Sequence, residues 1–264
     1  MTIKRIFTLL FCLWSMTALA QKQPWNKKQC AVVLTYDDAL NVHLDKAIPA
    51  LDSLKLKGTF FLIASSPAFT KRMPEWKKVA DNKHELANHS MFHPCNGSLP
   101  GRSFVQPDYD LATYTVKRFT DEIRMTNTLL QSLDGKTERT FAYPCGDMTA
   151  GGASYVEAIK ADFVAARGVH PAMLPNKPTN YSNIGCYSVQ GQTGEELIAL
   201  VKKAMETNSL IVFLFHGVGG EHALNVSLEA HSKLLHFLKD NEKKIWNPTF
   251  LEAAKYMQAS QSNQ

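Results

Sequence analysis

Cys30-Ala31-Val32-Val33-Leu34-Thr35-Tyr36 runs straight into Asp37-Asp38. The run lacks the polar alternation of a sheet with one wet face, so it reads as a strand buried on both faces that ends in two carboxylates. Thr59–Ala64 (T-F-F-L-I-A) and Leu210–Phe215 have the same character. Helix-period stretches lie among these runs. Leu44, Ile48, Leu51 and Leu54 recur at three- and four-residue steps, and so do Val116, Phe119, Ile123, Leu130 and Leu133, with Thr126 at the missing step. Gly58 reads as a stop signal after the first helix. Strands and helices taking turns, without an internal repeat or linker, indicate an α/β fold of βα units, either a parallel barrel or a doubly wound sheet. A chain of 264 residues suits one such domain. Pro94–Pro107, rich in Gly, Pro and Ser, interrupts the pattern and reads as a rim loop.

Residues 1–20 read differently. Lys4 and Arg5 precede an apolar run from Ile6 to Leu19, and Ala18-Leu19-Ala20 offers small residues for cleavage. This describes a secretory signal peptide, with 21–264 as the mature domain, secreted or periplasmic, and no stable membrane anchor. Losing Lys4 and Arg5 lowers the net charge from +5 to +3. So weak and dispersed a charge gives no ground for a nucleic-acid partner. Cys30, Cys95, Cys145 and Cys186 remain, in spacings that match no cysteine zinc site and that allow up to two disulfides.

Four short segments carry chemistry-bearing residues at element ends. Asp37-Asp38 closes the first strand, although such a pair also fits a helix cap. His89-Ser90-Met91-Phe92-His93 spaces two imidazoles four residues apart, and one helical turn would aim both at a common metal. Arg139–Gly146 ends in Pro144-Cys145-Gly146, a tight turn where a backbone N–H could meet a ligand. Leu214-Phe215-His216-Gly217 ends an apolar strand in a histidine, which suits a site rim better than a core.

In this order the segments resemble the polysaccharide deacetylase family, carbohydrate esterase family four, of the nodulation-protein-B type. Thr35-Tyr36-Asp37-Asp38 is similar to its first motif, His89–His93 to its His-Ser/Thr-x-x-His motif, and Leu214-Phe215-His216 to its closing Leu-x-His. The resemblance implies a distorted (β/α) barrel of about seven parallel strands and a metal-dependent hydrolase that releases acetyl groups from an acetylated carbohydrate. Asp38, His89 and His93 would hold a divalent metal, zinc before cobalt, nickel or iron. Asp37 would be general base, His216 general acid, and the Cys145 N–H an oxyanion donor. Leu214 would line the acetyl pocket. Tyr143 either shapes the same wall or is an ordinary packing aromatic. With Cys95 just after the histidine pair and Cys145 in the oxyanion turn, both belong at one barrel mouth, which makes Cys95–Cys145 the expected disulfide.

Two departures stand out. Where the family's third motif has an arginine that steadies the base, this chain has Ala142, and Arg139 lies too early to replace it. Where the fourth motif has an aspartate that orients the acid histidine, the chain reads Val164-Ala165-Ala166-Arg167-Gly168. Arg167, at the end of a strand read over Phe163–Arg167, is expected to supply the missing cation to Asp37. These departures also support a competing reading, a barrel that binds metal and sugar without turnover. A third reading moves the scissile bond to an acetyl ester or to an amide outside carbohydrates. His222 is the histidine that the Gly217-Val218-Gly219-Gly220 loop could fold back toward the site, while Trp76 and Trp246 could stack on sugar rings but by default are packing residues.

Overall fold

The computed structural model describes residues 24–178 and 180–262. The leader read over residues 1–20 lies outside the described residues. One sheet organises the chain: β1 (Cys30–Asp37), β2 (Thr59–Leu62), β3 (Glu85–Asn88), β4 (Thr140–Ala142), β5 (Ala165–Arg167), β6 (Met173–Leu174), β7 (Tyr187–Ser188), β8 (Leu210–Phe215) and β9 (Ile245–Trp246). Its main path runs β5-β4-β3-β2-β1-β8-β6, with β7 paired to β8 and β9 to β1. β1 and β8 lie side by side, Ala31 opposite Leu210 through Tyr36 opposite Phe215, and every residue of both is buried. This is the reason they are apolar throughout.

The path curls into a parallel-dominated half-barrel of seven strands in a single α/β domain. Along it, β6 runs antiparallel to β8. Few residues separate β5 from β6, too few for a crossover, so the chain must reverse. The open side is spanned by the stretch 181–188. Ile184 bridges to Arg167, and Tyr187 and Ser188 pair with Phe213 and Leu214.

Helices α1 (Ile48–Ser53), α2 (Met73–Asp81), α3 (Val116–Asp134), α4 (Gly194–Glu206) and α5 (Leu228–Asp240) cover the outer face, where Leu51, Val79, Phe119, Leu130, Val201 and Leu234 are buried. Local chemistry sets their ends. The Thr115 hydroxyl accepts from the Arg118 N–H to start α3, and Gly135 at φ 73° ends it. Gly58 does not play the same part for α1, which stops at Ser53 and turns through Lys55 at φ 57°. Gly58 serves packing instead, since a Cβ there would lie 3.0 Å from Leu51 and 3.1 Å from Tyr36.

The last helix, α6 (Phe250–Ser262), fills the inside of the curled sheet with Phe250, Ala253, Ala254 and Met257. Its start is tied to the floor through buried Glu85. That carboxylate accepts from Thr59 Oγ1 at 2.8 Å, Thr140 Oγ1 at 2.5 Å and the Leu251 N–H at 2.8 Å. A carboxylate at a helix N-terminus satisfies amide donors that the helix leaves unpaired.

Strand parity then places the site. On β1, Cys30, Val32, Leu34 and Tyr36 join the outer core, whereas Ala31 and Val33 join the inner one. Leu210, Val212 and Leu214 on β8, Ala87 on β3, Ala142 on β4 and Ala165 on β5 also face inward. Continued with a period of two, the same parity carries Asp37, His89, Arg167 and His216 to the inner face at the carboxyl ends of their strands.

Candidate active site

A cleft of about 540 Å³ opens at that end, and its walls include Asp37, Asp38, His89, His93, Cys145, Tyr143, Leu214, His216 and His222. The expected site residues therefore come together in one place, except Arg167, which lies beneath the floor.

Asp38 follows β1 at φ 80° and Ala39 at φ 54°, a left-handed turn held by the Asp38 N–H to Phe61 O bond of 3.1 Å. Non-glycine residues rarely occupy that region, and a structure retains such strain where function demands it. His89 Nδ1 lies 2.8 Å from Ala142 O. A carbonyl can only accept, so Nδ1 carries the proton and Nε2 keeps its lone pair. Nε2 faces Asp38 Oδ1 at 3.5 Å, and His93 Nε2 lies 3.7 Å from the same oxygen. Asp38 Oδ1 is itself buried without a hydrogen-bond partner among the described residues. One ligand atom from each of these three residues falls within 4.8 Å of the others. A buried carboxylate oxygen facing an imidazole lone pair is unfavourable until a cation lies between them. Burial works to raise the Asp38 carboxyl, but the imidazoles of His93, His89, His216 and His222 hold it down to about 2.

The histidine pair reaches this geometry without the helical turn read from its spacing. His89 directly follows β3, and the chain then turns sharply, with Ser90 at φ 66° and His93 at φ 52°. Asn88 drives the turn: its Oδ1 accepts from the Ser90 N–H at 2.7 Å, and Ser90 Oγ accepts from the His93 N–H at 3.0 Å. These local side-chain bonds compete with helix formation. The two imidazoles still converge, with ring centroids 4.6 Å apart.

Arg167 is 1% exposed and its Nη2 donates to Asp37 Oδ2. It also donates to Gly168 O at 3.1 Å and lies 3.4 Å from the free thiol of Cys186. Burial opposes the guanidinium charge, while Asp37 beside it holds the pKa above the ordinary value. Arg167 is the register partner of Ala142 on the neighbouring strand. The cation therefore comes from one strand over, on the same rung. Arg139 stays below the site, buried against Asp134 and donating to Leu86 O at 3.0 Å.

Cys145 forms a disulfide with Cys95, Cα atoms 5.8 Å apart, while Cys30 and Cys186 are free and buried. With both thiols so engaged, Cys95 and Cys145 do not add to the ligands around His93. Cys145 sits at φ 55°, and its carbonyl accepts from Arg102 Nη2 at 3.1 Å. Arg102 also pairs with Asp147, which takes the Asn96 N–H at 2.8 Å, so the rim loop after Cys95 is bound to the Cys145 turn. Arg102 and Phe104 of that loop line the cleft. The loop is marked by its composition, but nothing in the sequence singles out either residue.

Tyr143 combines both of its readings: it lines the cleft, yet it is buried against Phe141 and Tyr155 and donates to Ser182 O at 2.7 Å. Leu214 points inward beside the site. His216 Nε2 lies 3.9 Å from Asp38 Oδ2, and burial lowers its pKa against the pull of Asp37 and Asp38. Trp76 is buried and donates to Ala68 O at 3.0 Å, away from the cleft.

The chain is similar to the peptidoglycan-N-acetylmuramic acid deacetylase PdaA of Bacillus subtilis (strain 168), at 27% identity over 121 residues, or 45% of this chain and 39% of that protein. It is also similar to a gellan lyase from a Bacillus species, at 25% identity over 216 residues, or 78% of this chain and 8% of that one. The chain thus spans well under half the length of these curated relatives. Its fold is similar to that of a Mycobacterium smegmatis protein assigned as a polysaccharide deacetylase (TM-score 0.63, 12% identity, covering 89% of this chain and 92% of that one). The Bc1960 peptidoglycan N-acetylglucosamine deacetylase shares the fold at TM-score 0.54 and 20% identity, covering 87% of this chain and 89% of that one. A family profile, Polysaccharide deacetylase, matches residues 25–164, from the start of the described chain to the threshold of β5. With more than half of its length so matched, the chain belongs to the polysaccharide deacetylase family.

Proposed function

We propose that the protein removes acetyl groups from an N- or O-acetylated carbohydrate, using a divalent cation held by Asp38, His89 and His93. The observation that carries this reading is the buried, unpartnered Oδ1 of Asp38 facing Nε2 of His89 and His93. Two imidazole nitrogens and one carboxylate oxygen suit a divalent transition metal, zinc first, and the donor set fits it. When bound, such a cation supplies Lewis acidity toward a carbonyl oxygen and toward water.

Arg167 holds Asp37 Oδ2, whereas Asp37 Oδ1 is buried without a hydrogen-bond partner among the described residues. Oδ1 is therefore the atom that takes a proton from the attacking water as its oxygen adds to the acetyl carbon. The bond from that carbon to the sugar nitrogen or oxygen then breaks. His216 Nε2 gives its proton to the departing atom, leaving acetate and a free amine or hydroxyl. The Cys145 N–H is the oxyanion donor. Leu214 abuts the methyl group, with Tyr143 behind it. The presence of Arg167 on Asp37 counts against a barrel that binds without turnover, since metal binding alone needs no oriented base.

Chitooligosaccharide, peptidoglycan and xylan are the glycan classes to test, and the similarity to PdaA supports including peptidoglycan. We read residues 21–264 as one catalytic domain released from a leader near Ala20 and acting outside the cytoplasm. The Cys95–Cys145 bond suits that oxidising setting. No helix of the described residues is long and apolar enough to cross a membrane. The test is acetate release across the three glycans by the wild type, Asp37→Asn and His216→Ala. The wild type should release acetate from at least one. Each variant should keep its metal and lose ~10²–10⁴-fold in kcat. Loss of metal in Asp37→Asn would instead exchange the roles of Asp37 and Asp38.

A further inference from the structure

His216 has an unusual setting for an acid. Its Nδ1 is buried and has no hydrogen-bond partner among the described residues. Its main chain is fixed: His43 Nδ1 accepts from the Leu40 N–H at 3.2 Å, so His43 Nε2 donates to His216 O, at 2.8 Å. No hydrogen bond fixes the ring through Nδ1. The imidazole of His222 lies flat against it, with centroids 4.7 Å apart and planes 12° from parallel.

His222 is held in that place. The Leu224 N–H donates to its Nδ1 at 3.0 Å, so the proton sits on Nε2, 3.7 Å from Asp38 Oδ2. With its proton on Nε2, His222 does not belong to the ligand set. The loop that presents it is anchored on both sides. Before it, Glu221 accepts from the Val42 N–H at 2.6 Å, the Asn41 N–H at 3.1 Å and Asn41 Nδ2 at 2.8 Å. After it, Asn225 and Val226 pair with Gly217 and Val218, and Asn225 Oδ1 takes the Gly220 N–H at 2.8 Å. Glu221 itself sits at φ 67°. A loop held in a rare conformation by so many bonds is built to place what lies at its centre.

We propose that His222 is a positioning residue: its ring, stacked on His216, sets the plane of the acid and directs Nε2 toward the leaving group. Offset-stacked rings at this separation attract one another and restrict rotation about the side chain. The proposal rests on the reading of His216 as the acid, and the test separates the two.

Acetate release is measured from the acetylated glycan and from 4-nitrophenyl acetate, whose leaving group departs without an acid. His222→Ala should lower kcat on the glycan by roughly 10- to 100-fold, less than the ~10²–10⁴-fold that loss of the acid itself would bring, with KM little changed. The fall on the aryl ester should be much smaller. His222→Phe, which keeps a flat ring, should recover most of the loss, and His222→Gln, which can still accept from Leu224, should not. In metal-free protein, the His216 ring-proton resonances should move in His222→Ala and stay near wild type in His222→Phe. Equal losses on both substrates, or a Phe variant as poor as Ala, would overturn the positioning role. If His216→Ala showed no preference between the substrates, the acid assignment itself would fail instead.

Discussion

At the scale of the residue, the site depends on which oxygen of each carboxylate is occupied. Arg167 takes Asp37 Oδ2 and leaves Oδ1 open, while Asp38 presents Oδ1 to the two histidines. Asp37, Asp38, His89, His93 and His216 were legible because each falls in an ordered segment at a strand end. Arg167 was legible because it ends the strand read over Phe163–Arg167 and the family's arginine is missing at Ala142; that the two share a rung is seen only in the fold. The turn joining His89 to His93 was not, because Asn88 and Ser90 satisfy backbone donors that a helix would have used. The Gly217–Gly220 loop pointed to His222, but what holds it near the site is Glu221 reaching Asn41 and Val42, far away in the chain. Lys cannot reproduce a planar guanidinium that spans a carboxylate, a carbonyl and a thiol. We expect Arg167→Lys to keep its metal and to lose part of the ~10²–10⁴-fold that an acid–base group contributes to kcat, read by steady-state acetate release beside elemental analysis. Unchanged kcat would show that Asp37 needs no cation to hold it.

At the scale of the element, the rim loop and the Cys145 turn act as one piece. The disulfide joins them across a separation of 50 residues, and Arg102 with Asp147 repeats the connection a few residues on. Composition marked 94–107 as a loop but could not say how firmly it is held, since its anchors lie on the Cys145–Asp147 turn. Closing a loop of that length restricts the unfolded chain, which corresponds to about 4 kcal/mol in the chain-entropy account. Cys95→Ser with Cys145→Ser should therefore unfold at lower denaturant, by roughly 2–4 kcal/mol. KM for a glycan should also rise, because Arg102 and Phe104 line the cleft. A variant with wild-type stability and KM would mean that the Asp147 contacts suffice alone.

At the scale of the whole molecule, β1, β2 and β8 and their burial followed from continuous apolar runs, and β5 from the strand read over Phe163–Arg167. The brief antiparallel β6 and the spanning stretch 181–188 did not, since two-residue pairings leave almost no pattern to read. Two buried histidines outside the ligand set couple this fold to pH. Burial lowers His43 from 6.5 to about 4, and His231 likewise, although Tyr36 Oη lies 2.8 Å from its Nε2. The unfolded chain takes up protons that the native state refuses. Their stabilising contribution is therefore complete above 6.5 and is lost as pH falls toward about 4. His231→Gln should reduce the pH slope of the unfolding free energy in that window by about one proton, or ~1.4 kcal/mol per pH unit. Denaturant titrations from neutral pH downward would measure it, and an unchanged slope would contradict a neutral His231. The central claim is that Asp38, His89 and His93 hold the cation on which acetyl hydrolysis depends. Metal content and acetate release, measured on one preparation before chelation, after it and after zinc is restored, test it most directly. The account predicts about one divalent ion per chain, loss of both metal and activity together, and their joint return, with His89→Ala taking up no metal. Undiminished acetate release from protein shown to be metal-free would contradict it.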